Sequence, residues 1–399
     1  MALSSTYVDT AHTLADVVEA LRSAPVIGFD TEFVGESTYE PVLCLVQVST
    51  ADGIWIIDPL VGLKLNDFWA ELTAPEHEVV ALAARQEVSF CLRYAKRPPA
   101  IVFDPQLAAG LVGFSYPLSH TNLVLQLLNA RVGGGETFTD WRQRPLTPKQ
   151  LEYAADDVRY LLDARQRLLD RAQTLGRVDW LRGEATRSVQ RYVQSEGEER
   201  WERVSGASSL SPRGLAVMRE LWRWRDGEAR RANLPPRRVL SDDLMSEIAK
   251  RSPKTTTDLF ALRGFDRPQL KKAGPELVAA VQAGLAVPTT QLPASLRRDD
   301  PPQVAILAQL MALIANGLAA QYQVASGLLA TSNDFQEIVR WHLDGERSEA
   351  PQALQGWRGD LLRKPLLDLL QGNSGIRVAD VHLPNPLSVE PYLTPTPPD

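Results

Sequence analysis

In the run Phe29-Asp30-Thr31-Glu32-Phe33, two carboxylates stand two residues apart inside a strand-like stretch that begins at Val26. A strand repeats every second residue, so both side chains share one face. Side by side they repel unless a cation lies between them, and hard oxygen ligands suit Mg²⁺ or Mn²⁺. The spacing alone fits a solvent-facing strand end equally well.

Around this pair the apolar runs Val42 to Val48 and Ile54 to Ile57 predict two further strands, with Asp52-Gly53 as the hairpin turn between them. Short strand-like runs at Val79 to Leu82 and Ile101 to Phe103 bracket a helical stretch, Gln86 to Tyr94. That order predicts an α/β domain, a mixed sheet flanked by helices. A later helix is announced by Thr147-Pro148-Lys149-Gln150, which offers an N-cap, a proline at the first helical position and a capping-box glutamine. Apolar residues from Leu151 to Leu162 follow at helical spacing, and the pattern runs to about Val193. On this helix Tyr153 shares a face with Asp157, four residues on, and lies nearly as close to Asp156. A phenol beside a carboxylate suits the positioning of a water, but spacing does not choose between the two aspartates.

The chain has 399 residues, 44% apolar and 23% charged, enough for two or three domains. Its net charge of −6 argues against coating nucleic acid by bulk attraction, yet positions 206–290 hold fifteen Lys or Arg against nine Asp or Glu. This basic middle reads as all-helical, between a polar linker at 195–209 and a proline-marked one from Pro288 to Pro302. Cys44 and Cys91 sit in apolar company and read as buried, reduced thiols. The uncharged run Pro301 to Asn333 carries enough Gln and Asn to read as buried helices rather than a membrane span. With no basic-then-apolar start, a cytoplasmic protein is expected, with no membrane partner.

The five histidines, 12, 77, 120, 342 and 382, include no pair at zinc-ligand spacing. The triple glycine 133–135 lacks the lysine and hydroxyl of a phosphate loop, so no nucleotide cofactor is expected, and no Gly-x-Ser-x-Gly elbow occurs.

Three segments in order, Phe29 to Phe33, Asp140-Trp141-Arg142-Gln143-Arg144-Pro145-Leu146 and Leu151 to Asp157, resemble the ribonuclease D family of DEDD-type 3′ to 5′ exonucleases over about Thr6 to Val193. The resemblance implies a ribonuclease H-like fold, four metal-binding acids and a tyrosine. Carried over, Asp30 bridges two divalent ions, Mg²⁺ or Mn²⁺, two per active site. Glu32 and Asp157 would ligate the ion that activates water, and Tyr153 would orient that water. The family's second motif has an aspartate where this chain has Glu87, the only acid between Glu78 and Asp104. Glu87 is expected to hold the second ion with its longer reach. Gly133-Gly134-Gly135 and Phe138 stand where relatives often have basic residues. Asp104, which also matches a family acid, is expected to cap the helix that Pro105 starts, and Trp141 to lie in the core.

The stretch Leu210 to Val287, with Leu221-Trp222-Arg223-Trp224-Arg225-Asp226 and Ser241-Asp242-Asp243-Leu244, is similar to an HRDC domain, a module that accompanies ribonuclease D and RecQ helicases. The similarity implies nucleic-acid binding, for which Arg230, Arg231, Arg237 and Arg238 around the Asn233-Leu234-Pro235-Pro236 turn are the candidates. The last helical region, with Gly356-Trp357-Arg358, is similar to a second HRDC-like domain. The expected organisation is an exonuclease domain at 1–195, an HRDC domain at 208–288, a C-terminal helical domain at 300–383 and a proline-rich tail at 384–399. The resemblance implies a monomeric 3′ to 5′ exoribonuclease that trims single-stranded 3′ ends of structured RNAs, tRNA precursors among them, and releases 5′ mononucleotides. A DNA exonuclease with the same acids and a catalytically inactive RNA-binding protein are the alternatives, the second because of Glu87.

Overall fold

A computed structural model of the chain describes residues 4–133, 139–297, 299–383 and 385–392. Gly134, Gly135 and Phe138 lie outside the described residues.

The first unit is a six-stranded sheet: β1 (Ser5–Val8), β2 (Val26–Val34), β3 (Val42–Ser49), β4 (Ile54–Ile57), β5 (Glu78–Val80) and β6 (Ile101–Phe103), in the order β1-β4-β3-β2-β5-β6. The hairpins β2-β3 and β3-β4 are antiparallel, and the other pairings are parallel. The mixed sheet and the predicted turn agree, with Thr50 donating to the Gly53 carbonyl across the β3-β4 turn. β3 is buried along nearly its whole length, which is why it reads as a continuous apolar run. β1 and the helix after it, α1 (Ala11–Ser23), escape the sequence reading, because four residues beginning Ser-Thr carry too little alternation.

Further helices are α2 (Asn66–Leu72), α3 (Arg85–Tyr94), α4 (Pro105–Leu111), α5 (His120–Leu128), α6 (Pro148–Arg159), α7 (Leu161–Thr174) and α8 (Val178–Ser195). What reads as one long helix breaks at Tyr160 and again before Val178. Gly28 lets α6 and α7 lie close on β2: a Cβ there would press on the Ser49 hydroxyl and come within 3.0 Å of Leu162. That hydroxyl donates instead to the Val158 carbonyl at 2.9 Å.

The middle unit runs through α9 (Pro212–Ala232), α10 (Pro236–Val239), α11 (Asp242–Arg251), α12 (Thr256–Phe260), α13 (Pro268–Lys272) and α14 (Gly274–Ala286) around its own apolar cluster. Residues read as a bare linker join it, since Trp201, Val204 and Ala207 are buried there. The last unit contains α15 (Pro302–Tyr322), α16 (Ser326–Leu329), α17 (Ser332–Leu343), α18 (Gly356–Leu370) and the hairpin β7 (Ser374–Val378) with β8 (Leu387–Pro391). Part of the proline-rich tail thus pairs with β7 rather than standing alone. α15 is long and apolar enough to cross a membrane by length and composition, and 33% of its most apolar stretch is buried. It buries Val304, Ala308 and Met311 and leaves Ile306 and Leu313 outside, so the expectation of buried helices holds for one stripe only. The last unit shares one apolar cluster with α4 to α8 of the first.

Candidate active site

β2 carries Asp30 and Glu32 on one face, and the β2-β3 register shifts between Glu32 and Phe33, an irregularity of the kind that re-aims a strand beside a site. Directly across from Asp30 stands Gln47, fully buried, with neither amide atom hydrogen-bonded.

Glu87 comes from the first turn of α3, which starts after a turn with Ala83 in the left-handed region at φ +54°. Asp104 holds that turn, accepting from the Ala83 and Ala84 N–H groups at 3.0 and 3.3 Å. It also caps α4 through Gln106 and Leu107, with Pro105 in the first helical position as expected. Glu87 is buried, and its Oε1 accepts from the Thr31 hydroxyl at 2.9 Å, which ties α3 to the strand residue between the two other acids.

α6 begins with the capping box of Thr147 and Gln150 that its sequence predicts. It presents Tyr153 against Trp141, ring centres 6.0 Å apart, and Trp141 is buried as expected. The two aspartates that spacing leaves open now separate. Asp156 is buried and takes the Arg159 Nε–H at 2.8 Å, whereas Asp157 faces Asp30 and Glu32. His120, which the spacing argument passed over, opens α5 with its Nδ1 3.6 Å from Asp157 Oδ1 and its Nε2 buried without a partner. No local period links His120 to Asp157, so only the tertiary fold reveals it. The second segment of the resemblance is anchored by Arg144, whose guanidinium meets Asp58 at 2.8 Å and the Cys44 carbonyl at 2.9 Å.

Burial pushes the Glu32 carboxyl up to about 9, with the Asp30 and Glu87 charges adding to the effect. Glu87 and Asp157 are raised in the same way, by burial first and by Asp30 next. Asp30 is raised by burial but held back by the Thr31 N–H and by a hydrogen bond with Glu87. Among the described residues no Lys or Arg pairs with any of these four acids, and no three His, Cys, Asp or Glu side chains form a ready-made metal cluster. Four acids that repel without a cation, with an orphaned amide beside them, form an all-oxygen donor set that fits a hard divalent ion.

Three of the four arginines proposed for nucleic acid are engaged within the protein. Arg230 covers the Tyr39 ring at 5.2 Å and donates to its hydroxyl, which in turn donates to Asp226 at 2.8 Å. Arg231 pairs with Glu228 and Arg237 with Asp242, while the exposed Arg238 guanidinium has no ion-pair partner among the described residues. Both cysteines are free and buried.

A mixed sheet with acids gathered from β2, α3 and α6 defines a ribonuclease H-like, divalent-metal-dependent 3′ to 5′ exonuclease. The 3′-5′ exonuclease family pattern matches residues 5–173 and the HRDC domain pattern residues 214–281. Ribonuclease D of Gluconacetobacter diazotrophicus is 36% identical over 92% of either chain, and that of Nitrobacter hamburgensis is 33% identical over 93% of this chain and 96% of its own. The crystal structure of Escherichia coli RNase D, described as an exoribonuclease involved in structured RNA processing, superposes with a TM-score of 0.81 at 26% identity, covering 93% of this chain and 99% of that one. The chain belongs to the ribonuclease D family and is a 3′ to 5′ exoribonuclease.

Proposed function

We propose that the enzyme trims the single-stranded 3′ ends of structured RNAs, tRNA precursors among them, releasing 5′ mononucleotides. The observation that carries this reading is the convergence of Asp30, Glu32, Glu87 and Asp157 with no Lys or Arg paired to them among the described residues. Two divalent ions, Mg²⁺ or Mn²⁺, would supply activation of the attacking water and relief of charge on the leaving 3′ oxygen. Asp30, restrained by the Thr31 N–H, would be the residue shared between them. Glu32 and Asp157 would hold one ion and Glu87 the other, with the Thr31 hydroxyl fixing the Glu87 carboxylate. Tyr153, on the same face of α6 as Asp157, orients the nucleophile.

The middle domain adds phosphate contacts, with Arg238 the freest of its candidate cations. Arg230 serves instead to seat α9 on the Tyr39 loop. A monomer acting in the cytoplasm completes the reading. The ribonuclease D relatives disfavour both a DNA-specific enzyme and a dead site, and Glu87 lies among the other acids rather than apart from them.

The test uses matched RNA and DNA oligonucleotides labelled at the 5′ end, with Mg²⁺ or Mn²⁺ and then with chelator. A ladder from RNA that chelator abolishes is expected. Binding without cleavage of either substrate would return the protein to the inactive reading.

A further inference from the structure

Beside the acids lies a cleft of about 440 Å³, walled by the turn into α3, by α8 and by the loop that leads to α17. Its inner end is formed by Ala83 and Asp104, and the Asp104 charge reaches Glu87. The cleft thus reaches the first turn of α3, which carries Glu87, without being built from the acids.

Its charges are unevenly committed. Four arginines line it against three acids. Each acid is already engaged: Asp104 by four backbone N–H groups, Asp334 by the Thr331 N–H and hydroxyl at the start of α17, and Glu184 by Arg358, Arg187 and the Trp357 indole. Arg187 and Arg358 are spent on Glu184. Arg85 and Arg191 have no ion-pair partner among the described residues: Arg85 lies over the Tyr192 ring at 5.9 Å and Arg191 donates to the Ser188 hydroxyl at 3.1 Å. Both guanidinium groups belong to exposed residues, and the rings of Tyr192 and Tyr116 line the same space. Arg85 opens α3 only two residues before Glu87, so a helix whose first turn faces the cleft carries a metal-site acid on its buried side.

We infer that this cleft holds the phosphodiester backbone of the RNA strand behind its reacting 3′ end, with Arg85 and Arg191 on phosphates and the tyrosine rings against sugar or base. Uncommitted guanidinium groups recognise phosphate through paired N–H donors, and aromatic faces accept any base. This rests on the exoribonuclease reading and extends it, because it assigns a grip on the strand to the seam between the first and last units, in addition to the contacts of the middle domain.

The test compares wild type with Arg85→Gln/Arg191→Gln, using Arg182→Gln on another part of α8 as the control. Binding of a fluorescent single-stranded RNA of about twelve nucleotides is followed by anisotropy in EDTA across a salt series. The double variant should bind about tenfold more weakly, with a log-log salt slope shallower by about 1.4, the loss of two phosphate contacts on a single strand. In Mn²⁺, the ratio of kcat/KM for that RNA to kcat/KM for a dinucleotide should fall by a similar factor, through KM. Arg85→Lys/Arg191→Lys should keep the wild-type slope, because it keeps the charge.

A double variant with wild-type affinity and slope overturns the proposal, as does a lysine variant that loses as much as the glutamine variant, which marks a packing role. A wild type that binds in EDTA but cleaves neither substrate sinks the exoribonuclease reading and leaves the cleft standing. One that cleaves both while the variant is unaffected does the reverse.

Discussion

Asp104 and Ala83 are joined by a 3.0 Å hydrogen bond that spans two elements, the carboxylate capping α4 while it holds the left-handed residue ahead of α3. An alanine at φ +54° is strained, so the turn keeps its shape only while something outside it fixes the backbone. Asp104 is that restraint, and Glu87 rides on its outcome.

Asp104→Ala should lower stability by about 2 kcal/mol, the loss of a cap and of buried acceptors, and slow turnover further than that loss explains. Asp104→Asn keeps the Oδ1 contacts and sets an NH₂ against the Ala84 N–H, so it should do less damage. Melting and single-turnover kinetics on both variants check this. Equal activity in all three proteins would show that the turn holds itself.

Asp30→Asn should abolish cleavage, since a neutral amide cannot bridge two cations. In chelator the variant should melt at or above the wild-type temperature, because one buried, repelling carboxyl is gone. The rise in melting temperature that Mn²⁺ gives the wild type should vanish. Turnover within tenfold of wild type would defeat the assignment.

For Glu87, the glutamine variant keeps an acceptor for the Thr31 hydroxyl and loses only the charge, so activity should collapse with little change in melting. Glu87→Asp restores the residue that the family pattern has here but draws the carboxylate back by one methylene from the Thr31 hydroxyl it now meets. Partial activity, better in Mn²⁺ than in Mg²⁺, is expected. An enzyme indifferent to both changes would show that the fourth acid lies elsewhere.

Gln47→Met removes two buried, unbonded amide atoms without changing the volume much. It should raise stability by about 1 kcal/mol or more and slow the reaction, because the amide stands across from Asp30. Thermal melts and kcat measured together decide it: a stabilised variant with full kcat makes Gln47 idle.

Burial pushes the Glu184 carboxyl up, but Arg358, the Trp357 indole and Arg187 outweigh that and hold it below its ordinary 4.5. A lowered value means stability present above pH 4.5 and lost as pH falls below it. Glu184→Gln should therefore be less stable than wild type at neutral pH, by about 3 kcal/mol for a broken buried pair. The gap should narrow as pH drops toward 3. Near-ultraviolet circular dichroism, sensitive to the stacked Trp180 and Trp357 rings, follows the transition. A gap independent of pH would remove Glu184 as its source.

Features set by neighbours in the chain were legible from sequence. The capping box of Thr147 and Gln150, the Asp52-Gly53 turn, the Asp104 cap and the shared face of Asp30 and Glu32 all follow from local geometry. Features that need distant partners were not. Nothing near Asp157 reveals that it turns to Asp30 and Glu32 on a distant strand, and nothing near His120 points to Asp157. Arg230 reads as a free cation until Tyr39, far away in sequence, is found beneath it. The linker containing Trp201 looks solvent-bound until α9 and its neighbours supply an apolar surface.

The apolar layer shared by α4 to α8 and the last unit also sets the order in which the molecule can be completed. The Gly110 carbonyl finds its donor in Ala325, Arg177 an acceptor in the Gln323 carbonyl, and Trp180 its stacking partner in Trp357. During synthesis the sheet and its acids emerge first, about two hundred residues of translation before α18. Until then a face meant for the interior stays wet and open to wrong partners. A ribosome that stops short of α18 would leave behind a fragment with every acid in its sequence and no finished core to hold them.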